Sequence, residues 1–501
     1  MRIRVAGVWL VGVALACLGT NVAWAQGASR KQATPAAAKA QAAKPPSANK
    51  KAAVALVEQQ RADMIRTSDA IWGFAETALR ETRSAAAIAD YAEQHGFTVE
   101  RGVAGMPTAF VASYGSGRPA IGILAEYDAL PGISQKVATT KEALVEGAAG
   151  QGCGHNLFGT ASLGAAVAIQ ELIAGGKLKG TVRLYGTPAE ERLGGKIYMI
   201  RDGRFRDDDV VLAWHPGDET KAELEGFQAN IQFVVEFQGR TAHAAADPWN
   251  GRSAADAAEL YTHGINMLRE HVKPSVRMHY TVQKAGDVPN VIPDYARVLT
   301  WLRDSKRAGV DDIFARVQDI AKGAALMAGV QHTLKIEAGY TDMAILETGS
   351  RLIHDNLTWL GPPTYTEEEE AFARALQQAT GKEPKGMVAA AQPIKPIPPD
   401  PPGGSSDVGD VSWIAPTLHF SVATAPKDVP WHAWPVVAAS GMSIGHKGMM
   451  LAATTLAATA VDLYENAAVR DAIRAEWAEK TKGVTYRWYI PDGPPPVPDS
   501  K

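Results

Sequence analysis

The stretch FQANIQFVVEF, residues 227–237, places an apolar side chain at every second position and reads as one long strand with a buried face. Helical spacing follows over Arg252–Glu270, then strands over Val276–Lys284 and Ala296–Arg303, a helix over Val310–Ala328 and a strand over Gln331–Glu337. The order strand, helix, strand, strand, helix, strand is the split, ferredoxin-like unit. It predicts an α+β domain over residues 225–338, inserted into a larger one made of residues 53–224 and 339–485.

The flanking segments have a different pattern. Val54 to about His95 has helical spacing, Thr108–Tyr114 and Ala120–Ala125 read as strands, Thr160–Ala174 as a helix, and Gly180–Gly186 and Val210–Trp214 as strands. Alternating helices and near-continuous apolar strands predict an α/β domain whose mixed sheet is covered by helices, with reactive groups gathered where strands end. Beyond the insert, Leu352–Leu360 and Thr366–Thr380 read as helices, Thr417–Ala423 as a strand and Gly448–Tyr464 as an apolar helix. The proline-rich run 392–404 is incompatible with regular structure. Residues 486–501, also rich in proline, are expected to form a loosely held tail.

The N-terminus carries Arg2 and Arg4, an apolar run from Val5 to Gly19 and Ala23-Trp24-Ala25, the pattern of a secretory signal cleaved after residue 25. Two other readings of this segment are a membrane anchor, for which the run is short, and a lipid on Cys17. Cleavage would leave no transmembrane anchor and points to a secreted, periplasmic location. Residues 26–52 lack the large apolar groups that repay ordering and are expected to form a disordered basic tether. Residues 1–52 hold eight Lys or Arg and no Asp or Glu, so the net charge of −3 for the 501-residue chain becomes −11 for the remainder. A body of that sign argues against a nucleic-acid partner. With only two cysteines, Cys17 and Cys153, no disulfide framework is available.

Four short strings concentrate metal-competent side chains: GQGCGHN with Cys153 and His155, TPAEERLGG with Glu190 and Glu191, LAWHPGD with His215, and DVPWHAW with His432. Taken singly, a lone cysteine is more often a small buried hydrophobe and a lone histidine a satisfied polar group. Jointly they offer more ligands than one tetrahedral zinc takes, which suggests two metals about 3.5–4 Å apart with one bridging ligand. Cys153 and His155 as a thiol nucleophile and its base is a weaker alternative, because one intervening glycine makes a productive hydrogen bond awkward. The adjacent carboxylates Glu190 and Glu191 allow one to bind metal while the other moves protons.

These strings, with LAEYDALPG (residues 124–132), AWHP (213–216), GRTAHAAADPWNGRSAADA (239–257), PNVIPD (289–294), SSDVGDVSW (405–413) and SIGHKGM (443–449), resemble the dinuclear-metal aminoacylase and carboxypeptidase superfamily in its amidohydrolase branch, within the p-aminobenzoyl-glutamate hydrolase-like group. The resemblance spans roughly residues 55–470. It implies a zinc-peptidase-like catalytic domain whose insert serves as lid and dimerisation domain. By motif, Cys153 resembles the bridging thiolate, and His155, Glu191, His215 and His432 the remaining ligands of two divalent ions per subunit. Zinc, manganese and cobalt all suit such donors. Glu190 resembles the general base and Asp128 the acid that orients a metal-bound imidazole. His243 resembles the histidine that reaches into a neighbouring subunit's site, and Asn290 its companion in substrate or oxyanion contact. The cysteine motif departs from the broader branch by ending in Asn156 where aspartate is common, and His446 is a second C-terminal histidine, open as ligand or substrate contact.

The expected activity is hydrolysis of the amide bond of a small N-acyl or N-aroyl amino acid by a metal-bound hydroxide, in a homodimer or larger homo-oligomer. A metallo-dipeptidase or carboxypeptidase and a catalytically silent binding homologue are the alternatives. Trp249, Trp413, Trp431 and Trp434 stand beside the motifs and could stack on an aromatic acyl group.

Overall fold

Strand β3, Ala120–Ala125, reads AIGILA and is buried along its whole length, as a central strand covered on both faces must be. It pairs in parallel with β4 (Thr181–Gly186) and β5 (Val210–Gly217), and β5 pairs in parallel with β11 (Thr417–Ala423). Antiparallel β1 (Thr98–Arg101) and β2 (Phe110–Gly115) extend one edge and the two-residue β6 (Lys221–Ala222) the other, giving the order β1-β2-β4-β3-β5-β11-β6. This computed structural model describes residues 45–222, 224, 226–397 and 403–498. The expected signal sequence, Cys17 and residues 26–44 of the expected tether lie outside the described residues.

Two apolar helices, α4 (His155–Ala174) and α12 (Ser443–Glu465), pack on each other and on β3, β5 and β11. Over them lie α1 (Ala48–Gln59) and α2 (Arg61–Phe74), followed by α3 (Thr82–Gln94). Helix α1 begins inside the stretch expected to be a tether. The Ser47 side chain accepts the Lys50 N–H as its cap, and Ala53 and Val57 bury completely. These two side chains, with Ala52 and Leu56 partly buried beside them, suffice because the apolar helices α4 and α12 supply the other half of the contact.

The insert forms a four-stranded antiparallel sheet, β10-β7-β9-β8, from β7 (Ala229–Gln238), β8 (Arg277–Lys284), β9 (Tyr295–Asp304) and β10 (Gln331–Tyr340). Helices α6 (Ala254–Leu268) and α7 (Arg307–Ala328) pack against it around a core of its own, with Phe233, Phe237, Tyr261 and Val298 fully buried. The short α5 (Gly195–Arg201) precedes this lid, and α8 (Glu347–Leu360), α9 (Glu367–Ala379), α10 (Val408–Ser412), α11 (Trp434–Ser440) and α13 (Ala467–Thr481) follow it. Strand β1 and helix α13 have no counterpart in the sequence pattern; TVER is too short and polar, and α13 buries only Ile473.

The C-terminal segment is anchored where a loose tail was expected. Tyr486 donates its hydroxyl to Asp410 at 2.7 Å, and Arg201 donates to the carbonyls of Pro491 and Gly493. Tyr489 lies in the lid core and the next residue, Ile490, in the catalytic core. Proline prevents a helix or strand there, but two apolar side chains and a row of accepted hydrogen bonds hold irregular backbone in place.

Candidate metal centre

Strands β3, β4, β5 and β11 all point the same way, so their C-terminal ends converge, and the metal-competent side chains lie at or just beyond those ends. Glu126 and Asp128 follow β3, Glu190 and Glu191 follow β4, His215 lies near the end of β5, and His432 stands in the loop after β11. Cys153 and His155 come from the turn into α4, where Gly154 has φ +75° with Pro216 packed against it. Helix α4 therefore starts five residues earlier than its sequence suggested, and His155 is its first residue.

The donor atoms of Cys153, His155 and His215 lie within 4.8 Å of one another, and so do those of Cys153, Glu191 and His432. Cys153 belongs to both groups, the arrangement a bridging thiolate needs. Its Sγ is 3.5 Å from His215 Nε2, and Glu191 Oε2 is 3.4 Å from His432 Nε2. The buried His155 and the partly buried His215 both have their Nδ1 engaged: that of His155 donates to Asp128 Oδ1 at 2.9 Å, and that of His215 to the Pro216 carbonyl at 2.7 Å. With a cation bound, each Nε2 would offer its lone pair to the centre; in its absence, and against the effect of burial, the charges of Cys153, Glu126 and Asp128 push His155 well above its usual range. Asp128 also accepts the Glu191 N–H at 3.0 Å, so one carboxylate sets both a ligand histidine and the acidic loop. His155 is fully buried, while the His432 side chain is 55% exposed and marks the mouth of the site. His432 has φ +54°, a conformation non-glycine residues rarely adopt and one found at functional sites.

The electrostatics match a cation site. Burial pushes the Glu190 carboxyl well above its usual range, and the charges of Glu126 and Glu191 push it the same way. Burial also raises Glu191 to about 7, against the opposing influence of His155. Burial lowers His215 to about 3, and the charge of His155 adds to the effect. Burial and then the Glu191 charge push the Cys153 thiol up, which disfavours the thiolate until a cation arrives and inverts the local field. His155 Nε2 and Glu191 Oε1 are buried with no hydrogen-bond partner among the described residues. A soft thiolate, imidazoles and carboxylates with such orphaned donors fit divalent transition metals.

A cavity of about 590 Å³ opens over these residues, lined on the lid side by Asn230, Gln232, Trp301, Arg303 and Tyr340. Among the four tryptophans beside the motifs, only Trp431 lines it. Trp249 is exposed on the lid, Trp413 donates to the Asp342 carbonyl, and Trp434 packs in a separate apolar cluster. His243 and Asn290 do not reach the centre of their own chain. Both are exposed on the lid, where Ala245 and Ala246 donate their N–H groups to His243 Nδ1 and the Asn290 carbonyl accepts the Ala244 N–H. His446 contacts Asp69 at 2.8 Å and lies outside both donor groups and the cavity lining. Asn156 donates to Ser68 and to the Ser440 carbonyl, so it ties α4 to its neighbours.

Sequence reasoning missed four buried groups: Glu126, Lys196, Asp407 and His419. The first three sit inside or beside quoted motifs, yet nothing in a one-dimensional string signals that they meet. His419 occupies the middle of an apolar strand, where it reads as a core position, and both its ring nitrogens lack partners beside the cavity.

The Peptidase family M20/M25/M40 profile matches residues 122–394, and the chain belongs to this family. It is a metal-dependent amidohydrolase. Among curated relatives, one component of the p-aminobenzoyl-glutamate hydrolase of Escherichia coli (strain K12), its B chain, is 37% identical over 469 residues, 88% of this chain and 97% of its own length. A Xaa-Arg dipeptidase of Mus musculus is 29% identical over 82% of this chain and 88% of its own. Two solved structures share the fold. An aminobenzoyl-glutamate utilization protein from Klebsiella pneumoniae has a TM-score of 0.58 at 20% identity over 82% of this chain and 98% of its own. A dinuclear metal binding peptidase of the M20 family from Bacillus subtilis has a TM-score of 0.55 at 19% identity over 81% and 99%.

Proposed function

We propose that the protein hydrolyses the amide bond of N-acyl or N-aroyl amino acids at a centre of two zinc or manganese ions, as an exported homodimer. The observation that carries this reading is the pair of donor groups sharing Cys153, with Glu190 beside them on the cavity floor. Cys153, His155 and His215 would hold one ion and Cys153, Glu191 and His432 the other. When bound, the ions supply a water of lowered pKa and polarise the scissile carbonyl. Glu190 takes the proton from the attacking water and delivers it to the leaving nitrogen, so the acyl group departs as carboxylate and the amino acid as free amine. Asp128 keeps His155 in the tautomer that faces the centre. Arg303, its guanidinium 5.0 Å from the Trp301 ring, has no carboxylate partner among the described residues and lines the cavity, which suits an anionic substrate. Names of relatives support the substrate class, among them a hippurate hydrolase of Campylobacter jejuni and an indole-3-acetyl-aspartic acid hydrolase of Enterobacter agglomerans.

His243 and Asn290 act on the partner subunit's site in this reading, stabilising the oxyanion. Mixing inactive His243→Ala and Glu190→Gln protomers then restores part of the activity, because one site of the hybrid dimer is intact. The central experiment is Glu190→Gln itself. It leaves metal content near two per subunit and abolishes release of amine from a panel of N-acyl amino acids; full activity in that variant removes the mechanism. Dipeptides in the same panel test the peptidase reading that the dipeptidase relative favours. The N-terminal mass of protein recovered from the periplasm tests cleavage after Ala25.

A further inference from the structure

Behind the centre lies a buried charge cluster that none of the roles above uses. Lys196, the second residue of α5, is completely buried, and its Nζ is 2.6 Å from Asp407 Oδ1 and 2.6 Å from Glu126 Oε1. Asp407 grips the same residue twice, since its Oδ2 accepts the Lys196 N–H at 3.0 Å. Glu126 is also fully buried, and its other oxygen, Oε2, is 3.1 Å from His155 Nε2. His155 Nε2 is the atom already found to face the metal centre.

Two observations make this more than an ion pair. Lys196 forms a properly directed hydrogen bond with Asp407, whereas neither Glu126 oxygen nor His155 Nε2 has a hydrogen bond of acceptable geometry. Orphaned buried polar atoms are rare, and here they face one another across one gap. Lys196 answers Asp407 and one Glu126 oxygen, which leaves the other Glu126 oxygen turned to His155. A buried carboxylate oxygen needs a positive partner, and at this position that partner is either a charged His155 or a bound cation that takes the imidazole proton's place. The donor atoms of Glu126, His155 and Glu190 lie within 4.8 Å of one another, which puts the Glu126 carboxylate beside the donor groups of the centre.

We propose that Glu126 is a further acidic donor of the metal centre, its Oε2 facing the cation that His155 holds while Lys196, clamped by Asp407, neutralises Oε1. This rests on the two-ion reading above and adds one residue to it. Lys196 and Asp407 are positioning residues: they fix the Glu126 carboxylate and join the loop that carries Asp407 to the floor of the site. If Glu126 were simply the structural counter-ion of Lys196, its removal would weaken the metal-free protein and leave metal affinity alone. A donor role demands the opposite pattern. Glu126→Gln leaves a balanced Lys196–Asp407 pair, so the metal-free protein melts at the same or a higher temperature. Loss of the donor weakens one of the two ions by about tenfold or more and shrinks the rise in melting temperature that metal produces.

The experiment is a chelator-competition titration with zinc, together with thermal melts of metal-free and zinc-loaded protein, on the unaltered chain and on Glu126→Gln. Weakened binding of one ion with an undiminished metal-free melt supports the proposal. Two unchanged affinities with a lowered metal-free melt overturn it while leaving the two-ion reading intact. If the unaltered chain binds no divalent ion, both fall together. Should Glu126→Gln fail to fold, the neutral variant E126Q/K196M/D407N takes its place, and unaltered zinc binding in that variant overturns the proposal.

Discussion

Tyr340, the last residue of the lid strand β10, donates its hydroxyl to the backbone carbonyl of Glu190 at 2.9 Å. The sequence pattern puts the end of the lid domain at residue 338, yet β10 runs two residues further and ends on the acidic loop itself. A residue of the lid strand therefore holds the backbone that presents the proposed base. Tyr340→Phe keeps the ring and removes this bond, leaving a buried carbonyl unpaired. The expected cost is about 1–3 kcal/mol in urea unfolding, with metal content unchanged.

Cys153 is common to both donor groups, and no other residue is. Cys153→Ser should lower the occupancy of both ions, measured by metal analysis of protein purified and then dialysed against metal-free buffer. His446→Ala serves as the contrast. That histidine pairs with Asp69 and faces neither group, so its removal leaves occupancy as it was.

Two glycines respond oppositely to alanine. A Cβ on Gly195 would stand 1.9 Å from the Pro188 carbonyl oxygen, so Gly195→Ala must displace the backbone that leads into Glu190. It should destabilise by about 3 kcal/mol and lower activity. A Cβ on Gly323, in the middle of α7, meets nothing within 4 Å. Gly323→Ala should stabilise by about 0.4–1 kcal/mol, because it removes freedom from the unfolded chain in a helical position. Thermal melts of the two variants decide both points.

Acid sensitivity follows from Glu369, which caps α9 and receives Lys447, the Ser443 hydroxyl and the Thr366 N–H. Burial alone would raise its carboxyl, but these donors together hold it below the ordinary 4.5. The folded state thus binds this proton more weakly than the unfolded chain does. Its contribution is complete above about 4.5 and is lost as pH falls through the lower folded value. Glu369→Gln should cost about 1–2 kcal/mol at neutral pH, and the difference from the unaltered protein should shrink as urea unfolding is repeated towards pH of about 3.

The elements with strong periodicity were legible in the sequence. Strand β3 and strand β11 fall on their expected residues, and the alternation over 227–237 corresponds to β7 shifted by one or two positions. Each motif histidine expected as a ligand lies with its partners, because strand ends that point one way bring distant strings together. Legibility failed where position in space, not residue type, carries the meaning. Glu126 and Lys196 are separated by seventy positions and meet only because the end of β3 and the start of α5 lie beside each other. His419 sits in an apolar run whose pattern says core. The placement of Ala48–Gln59 as a helix depends on α4 and α12, which a window of twelve residues does not contain.

Tyr489 and Ile490 belong to different cores though they adjoin in the chain, and this bears on how the protein is made. The lid's strands and helices are encoded over residues 229–340, yet one of its core side chains, Tyr489, is made only after the last helix of the catalytic domain. A nascent chain that stops before residue 489 has every strand and helix of the lid, with a gap where the tyrosine ring packs beside Phe314 and Gly339. The two halves of the molecule can thus begin to fold in order of appearance, but they are finished together, by the same dipeptide, after all their helices and strands have been made.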